Sequence, residues 1–431
     1  MTDETLVTLL GGAPIGSVSR DRRGRLRFIY LEEWRSADAA FPLSLSMPLA
    51  AAQHGHLVID AFLWGLLPDN PIVLDRWARR FQVSARSAFA LLSHVGEDCA
   101  GAVQFVRPER LDELLRPREP EVEWLTTAKI EERLRVLRSD HAAWRNDRDA
   151  GQFSLAGAQP KTAFLQRKGR FGIPTGRTPT THILKPPTGE FDGHAENEHF
   201  CLALARTLGI PAAGSEVRRF GKEVAIVVER YDRVLVSSAV KSRQTVLRLH
   251  QEDACQALGL TPAAKYQSDG GPGAADIVRL LMTHSSRPTE DIETFIDALA
   301  FNWAIAGSDA HAKNYSLLHG AGGRVRLAPL YDLASVLPYD FDLHRLKLAM
   351  KIGGKHRVRE IARHQWEKLA VELRLDPEAI VARIRQMIAK IPDALALVEK
   401  QIATEGLRHR ILEKLKRALA ARADDLERAM A

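Results

Sequence analysis

The apolar residues of this chain change their spacing a little past its midpoint, and that change limits what the chain can fold into. Up to Val236 they fall in short runs such as LVTLL, LRFIY, THILK and VAIVV, separated by Gly, Pro and charged turns. Runs of that length, bounded in that way, read as strands. After Leu247 they recur mainly at helical spacing, as in AADIVRLLMTH, DIETFIDALAFNWAIAG and a basic amphipathic tail from Arg408 to Ala431. Strands first and helices afterwards predict an α+β fold.

Finer punctuation divides the chain further. Residues 1–70 alternate LVTLL, LRFIY and LSLSM with Gly and Pro, which predicts strands and turns. AFLWGLLPDNPIVLDRWARRF reads as helix interrupted between Pro68 and Pro71, and LLSHVGEDCAGAVQFV as a helix giving way to a strand across Gly96 to Gly101. The stretch from Arg107 to Asp149 is densely charged. A β-rich section follows, with one helix from about Ala195 to Leu208. The expected organisation is an N-terminal α/β subdomain over 1–110, a charged connector over 111–149, a β-rich region over 150–236 and a helical lobe over 237–431.

At 431 residues the chain can bury two or three cores, and its 45% hydrophobic and 27% charged residues are those of a globular protein. The N-terminus carries acidic residues where a secretory signal would be basic, and no run reaches the length of a spanning helix. Three widely spaced cysteines, Cys99, Cys201 and Cys255, argue against a disulfide framework and fit a reducing cytoplasm, with no membrane partner. The formal charge of +7 permits an acidic or nucleic-acid partner without requiring one. Its clearest cluster, SRDRRGRLRF, reads as a charged hairpin turn.

The stretch GSDAHAKNYS places Asp309 five residues before Asn314. That is the spacing of a kinase catalytic loop, in which Asp accepts a hydroxyl proton and Asn holds Mg2+. Downstream, LAPLYDLAS offers Asp332 as a second oxygen ligand of the kind Mg2+ prefers. Upstream, SLAGAQPKT supplies Gly157 and small neighbours that let backbone N–H groups approach phosphates. It is no Walker A loop, because Gly157 stands four residues before Lys161, and it reads instead as a strand–turn–strand phosphate cover. Lys185 ends the run THILK, where a kinase lysine would pair with nucleotide phosphates. Glu198, or else Glu196, on the following helix would hold it. VAIVV runs into Glu229, Arg230, Tyr231 and Asp232, as a hinge contacting adenine would. Plainer readings stand beside these: an Asx turn at Asp309, an edge-strand lysine at Lys185, a core strand with a polar exit at Glu229, and a zinc pair from Asp309 and His311 that lacks a third ligand at a recognisable spacing.

With those residues in order, the chain resembles the HipA family of bacterial toxin Ser/Thr kinases over nearly its whole length. The motifs carrying the resemblance are PLSLSMPL, GLLPDN, VGEDCAGAVQ, SLAGAQPKT, PTTHILKPP, VERYDR, LHQEDACQALGL, KYQSDGGPG, GSDAHAKNYS, LYDLAS and LKLAMKIGG. The resemblance implies a two-lobed protein-kinase-like fold with an extra N-terminal subdomain, using ATP and Mg2+. It implies Asp309 as catalytic base, and Asn314 and Asp332 as metal ligands. Ala156, Gly157, Ala158, Gln159 and Lys161 would form the phosphate loop, with Lys185, Glu229, Tyr231 and Lys313 also binding nucleotide. It implies autophosphorylation at Ser154, which in the family expels the loop and silences the kinase. Implied partners are a HipB-like helix-turn-helix antitoxin, operator DNA through that complex, and a protein substrate among the aminoacyl-tRNA synthetases, especially the glutamyl enzyme, whose modification arrests growth. Pro160 and Ala310 depart from the family pattern, which puts loop flexibility in question. Rival functions are a small-molecule or lipid kinase, since those also use D-x-H-x-x-N loops, and a catalytically silent corepressor.

Overall fold

The computed structural model describes residues 4–116, 122–144, 153–175, 178–187, 189, 191–238, 243–339 and 341–431. These divide into two compact units, one of residues 1–186, 219–262 and 317–325, the other of 187–218, 263–316 and 326–431. The units are interleaved in sequence, unlike the linear series of segments expected above. The reason lies in strand pairing: Ser316–Gly320 hydrogen-bonds between His250–Asp253 and Arg324–Leu327 in a three-stranded sheet, so a late hairpin completes an earlier unit.

The first unit opens with a five-stranded sheet in the order Gln53–His54, Leu26–Tyr30, Ala13–Arg20, Glu4–Leu10, Val103–Val106. Leu26–Tyr30 alternates buried and exposed residues along its length, the period-2 signature that made LRFIY legible. The basic cluster is the turn between two antiparallel strands, and Asp21 closes it by accepting from the backbone N–H groups of Arg23 and Arg25. Helices His56–Gly65, Pro71–Phe81 and Ala88–Val95 bury Phe62, Leu63, Trp77, Phe89 and Leu92 with sheet residues such as Ile15, Val18, Phe28 and Phe105. The break between the first two helices comes from Asn70, whose side chain caps Ile72 N–H, followed by Pro71 in the first helical turn.

LSLSM is not the expected strand. Its backbone groups are satisfied elsewhere: Tyr30 Oη donates to Met47 O and accepts from Leu43 N, and Glu252 accepts from Leu45 N. With those partners taken, no ladder is needed.

The second sheet of this region has six strands, ordered Ser215–Phe220, Glu223–Glu229, His182–Lys185, Thr162–Arg167, Arg170–Pro174, Val122–Trp124. Lys168 and Gly169, both at positive φ, turn Thr162–Arg167 into Arg170–Pro174. The charged stretch 111–149 does more than connect. It supplies the edge strand Val122–Trp124 and the helix Thr127–Ser139, whose Ile130 and Leu134 cover Phe164, Phe171, Leu184 and Val227. On that helix Lys129, Glu132 and Arg135 face outward while Arg133 is buried over the Phe164 ring, and this density of charge hid the apolar stripe beneath. The β pattern also continues past Val236 as the hairpin Arg233–Ser238 with Arg243–Arg248.

The second unit is helical, built from His194–Thr207, Ala274–His284, Pro288–Ala304, Arg363–Glu372, Pro377–Thr404 and Arg410–Met430, with one small hairpin, Lys347–Ile352 with Lys355–Arg357. Trp303 packs on Trp366 with ring centroids 5.6 Å apart and donates to Val358 O. Arg422 donates from Nε to Ala304 O and from Nη2 to Trp303 O, placing a cation on the carbonyls that end helix Pro288–Ala304.

Candidate active site

Helix Pro288–Ala304 delivers the segment Gly307–Ser316. It ends with Ala306 in the left-handed region, at φ 53°, a position glycine more often fills. Gly307 follows with its N–H bonded to Asn302 O at 2.7 Å, and a Cβ there would lie 2.5 Å from Asn302 Oδ1. That close approach requires glycine, which explains the first letter of GSDAHAKNYS.

Beyond it the loop is braced from several sides. Asp309 O accepts from His311 N at 2.8 Å and from Asn314 Nδ2 at 2.7 Å, so the five-residue spacing is closed by the asparagine amide itself. With Nδ2 engaged in this way, Oδ1 is the oxygen the Asn314 side chain has left to offer a cation. The Asp309 side chain is 71% exposed, and Tyr266 Oη donates to its Oδ1 at 2.7 Å. Ala312 N bonds Lys265 O at 3.2 Å, tying the KYQSDGG segment to the loop a second time. His311 is buried edge-on to the Tyr266 ring at 4.9 Å, and burial lowers its pKa, which keeps the imidazole neutral at pH 7. Lys313 is buried, and its carbonyl accepts from Tyr331 Oη at 2.6 Å.

Asp332 is exposed and stands at φ 54°. Its flanks are fixed within the same unit. Leu330 N bonds Pro211 O, Ser335 Oγ donates to Ile305 O at 2.6 Å, and Asn197 exchanges two hydrogen bonds with the Ser335 backbone. Glu196 and Glu198 are both buried on helix His194–Thr207. Two oxygen donors, the Asn314 amide and the Asp332 carboxylate, thus belong to one unit, and both are of the hard type that suits Mg2+.

The remaining expected residues lie in the first unit. SLAGAQPKT is an irregular loop entering strand Thr162–Arg167, not strand–turn–strand. In place of a strand before the turn there are isolated bridges, Asp98 with Phe153 and Pro68 with Gly157. The backbone of Phe153–Gly157 is therefore partnered by neighbouring turns rather than by a ladder. Ser154 is fully buried, with N bonded to Asp98 O at 3.0 Å and Oγ donating to Leu66 O at 2.7 Å. Asp69 N bonds Gly157 O at 3.0 Å, so the GLLPDN turn holds both ends of the segment Ser154–Gly157. Gly157 has φ 103°, and a Cβ there would meet Lys161 Nζ at 2.6 Å. Lys161 folds back over its own loop to donate to Ala156 O at 2.7 Å, with Nζ 5.4 Å from the Trp144 ring centroid. Ala158 is exposed and Gln159 half-buried. Lys185 is buried at the end of its strand, opposite Ile226 in register.

Glu229 is exposed at the end of Glu223–Glu229, while Tyr231 is half-buried and donates to Gln251. Between and after them lies a buried ionic knot that sequence reasoning missed. Arg230 grips Asp232 at 2.8 Å, and Arg233 grips Asp98 at 3.0 Å and Asp232 at 3.0 Å. Arg248 also pairs with Asp98, which accepts from Thr180 Oγ1 at 2.7 Å. Burial pushes the Asp98 carboxyl up, but the guanidinium groups of Arg248, Arg233 and Arg230 outweigh it and hold the pKa below the usual range. The available signal was the density of charge in VGEDCAG and VERYDR, each flanked by apolar residues. Tyr266 was missed as well; its motif was recognised, but nothing in the motif says where the hydroxyl goes.

Comparison with known proteins fits this arrangement. Residues 6–106 match the HipA N-terminal domain and residues 153–395 the HipA-like C-terminal domain. The Sinorhizobium fredii protein Y4mE is 36% identical over 402 residues, 92% of each chain. The serine/threonine-protein kinase toxin HipA of Shewanella oneidensis is 31% identical over 408 residues, 91% of this chain and 89% of that one. A solved complex of the Shewanella oneidensis HipA, HipB and operator DNA contains a chain that superposes with a TM-score of 0.84 at 27% identity, covering 99% of this chain and 98% of that one. The fold is the two-lobed kinase-like α+β class. The chain belongs to the HipA family of serine/threonine kinases.

Proposed function

We propose that this protein transfers the γ-phosphoryl group of ATP to a serine or threonine hydroxyl of another protein, as the toxin of a toxin–antitoxin pair. The observation that carries the reading is the base loop: an exposed Asp309 carboxylate, oriented by Tyr266, on a turn closed by the Asn314 amide. Asp309 accepts the proton of the acceptor hydroxyl, while Asn314 Oδ1 and the Asp332 carboxylate hold Mg2+. The bound ion would neutralise charge on the phosphates. Lys185 binds those phosphates, supported by Glu198, with Ala156, Gly157, Ala158, Gln159 and Lys161 as their cover. Glu229, Tyr231 and Lys313 serve the rest of the nucleotide.

Family likeness supports an aminoacyl-tRNA synthetase as substrate, growth arrest as outcome, and a HipB-like antitoxin with operator DNA as partners in the cytoplasm. Among the described residues no helix is long and apolar enough to cross a membrane. Autophosphorylation of Ser154 fits a device that needs the loop to leave its seat first, since Oγ is buried against Leu66 O.

The test is expression of wild type and Asp309→Asn, reading growth, transfer of labelled phosphate from ATP, and the phosphoproteome after brief induction. Loss of a general base lowers turnover by about 10²–10⁴-fold. Equal toxicity and equal labelling in the variant would end the kinase reading. Labelling of a lipid or small molecule without any protein would move the activity to a different acceptor class.

A further inference from the structure

Among the described residues, five that are not glycine have positive φ: Gln82, Lys168, Ala306, Asp332 and Arg374. Gln82, Ala306 and Arg374 follow helix ends and Lys168 turns a hairpin, places where a left-handed residue is ordinary. Asp332 neither ends a helix nor turns a hairpin. Its backbone stands in a disfavoured region within an irregular segment, and such a conformation persists only where the surroundings over-determine it.

The restraint comes from both ends of the base loop. One residue before Asp332, Tyr331 Oη donates to Lys313 O at 2.6 Å. That bond takes the phenol proton, so Ser316 Oγ is the donor in its own 2.6 Å contact with Tyr331 Oη. Three residues after Asp332, Ser335 Oγ donates to Ile305 O at 2.6 Å, and the Asn197 side chain bonds both the N–H and the carbonyl of Ser335. Asp332 is thus slung between Ile305, which precedes the base loop, and Lys313, which precedes Asn314. Tyr331 is the link between the two oxygen donors: it is the neighbour of one in sequence and is bonded to the neighbour of the other, all within the second unit.

We infer that Tyr331 is a positioning residue that sets the separation of the Asn314 and Asp332 side-chain oxygens, and that this separation makes the site prefer Mg2+ to the larger Ca2+. The inference rests on the kinase reading for those two side chains as ligands. Mg2+ demands near-ideal octahedral geometry at about 2.0–2.1 Å, whereas Ca2+ accepts about 2.3–2.6 Å and irregular shells, so loosening one ligand against the other penalises Mg2+ more. The Tyr331 hydroxyl is engaged with Lys313 O and Ser316 Oγ, so it acts through the backbone of its neighbours and not as a ligand.

The test uses the full chain with a non-hydrolysable ATP analogue. Electron paramagnetic resonance reports bound Mn2+, and displacement by Mg2+ or Ca2+ gives a Kd for each ion. In Tyr331→Phe the Mg2+ Kd should rise about tenfold, the scale on which lost outer partners weaken metal sites, and the Ca2+ Kd should rise less, so the preference narrows. Ser316→Ala keeps the Tyr331 bond to Lys313 and should fall between the two. Leu395→Ala trims a buried side chain of helix Pro377–Thr404 and should lower stability in urea while leaving the preference as in wild type. Asp332→Asn should weaken Mn2+ binding. An unchanged preference in Tyr331→Phe overturns the proposal, and so does an equal narrowing in Leu395→Ala, which would make the effect one of general stability. Mn2+ binding that survives Asp332→Asn unaltered also overturns it, because the ion would then sit elsewhere. Phosphate transfer from ATP is measured alongside for wild type and Asp309→Asn. Equal transfer by the two would end the kinase reading and leave the ion preferences to decide this inference.

Discussion

The two loops that the sequence marked for phosphate chemistry are held in opposite ways. Gly307–Ser316 is braced from its own turn, from Asn302, from Lys265 and from the Tyr266 hydroxyl, all within one unit. Phe153–Lys161 is seated against neighbouring turns, with Ser154 bonded to Leu66 and Asp98, and Gly157 to Asp69. A loop fixed by many partners keeps its geometry when one is lost. A loop whose seat runs through a serine hydroxyl can be disturbed by modifying that hydroxyl. The first arrangement suits a group that must stay aimed, the second a segment that a modification can switch.

The harshest way to break this contrast is to attack what the weaker loop rests on. Asp98→Asn takes a buried carboxylate away from Arg233 and Arg248, while Asp232 still pairs with Arg230 and Arg233. Breaking a buried pair in this way costs about 3–5 kcal/mol, read by urea unfolding. The pH dependence follows from the lowered Asp98 pKa. Its contribution is intact above the unfolded value of about 4 and is lost as pH falls through the folded value. Wild-type stability therefore declines more steeply than that of Asp98→Asn below about pH 4.

Ser154→Asp puts a carboxylate against Leu66 O, where a hydroxyl now donates. Hydrogen exchange across residues 153–161 should rise sharply while that of 307–316 stays as in wild type. Ser154→Ala, losing one hydrogen bond worth about 1 kcal/mol, should raise it only slightly. Equal protection of the two loops in Ser154→Asp would show that their difference in seating has no energetic content.

Gly307→Ala forces a Cβ toward Asn302 Oδ1 and should cost about 1–3 kcal/mol by thermal unfolding. Tyr266→Phe is the gentlest test of the braced loop. It removes the hydroxyl from Asp309 and should lower kcat about tenfold, with KM for ATP unchanged. An unaltered kcat would mean the hydroxyl does not orient the carboxylate.

Much of this was legible in the sequence where spacing alone carries the information. LRFIY and THILK alternate, PDNP punctuates two helices, and Asp309 and Asn314 stand five apart because an asparagine side chain closes that turn. Legibility failed where distant residues decide the outcome. LSLSM looks like a strand until Tyr30 and Glu252 take its backbone groups. The 111–149 stretch looks like a connector because charge on its outer face masks Ile130 and Leu134. Lys161 closes on Ala156 O and Ser154 is buried against Leu66 O, neither of which the motif SLAGAQPKT announces. The late strand Ser316–Gly320 could not be assigned from a pattern dominated by helices.

Arg422 carries a consequence for the order in which the molecule is made. It holds the last carbonyls of helix Pro288–Ala304, the element from which the base loop departs. A growing chain exposes Asp309 to the cell long before Arg422 has been added. During that interval the helix carrying the Asp309 segment lacks the cation that caps it, so the segment gains its full support only once the C-terminal helix has been made.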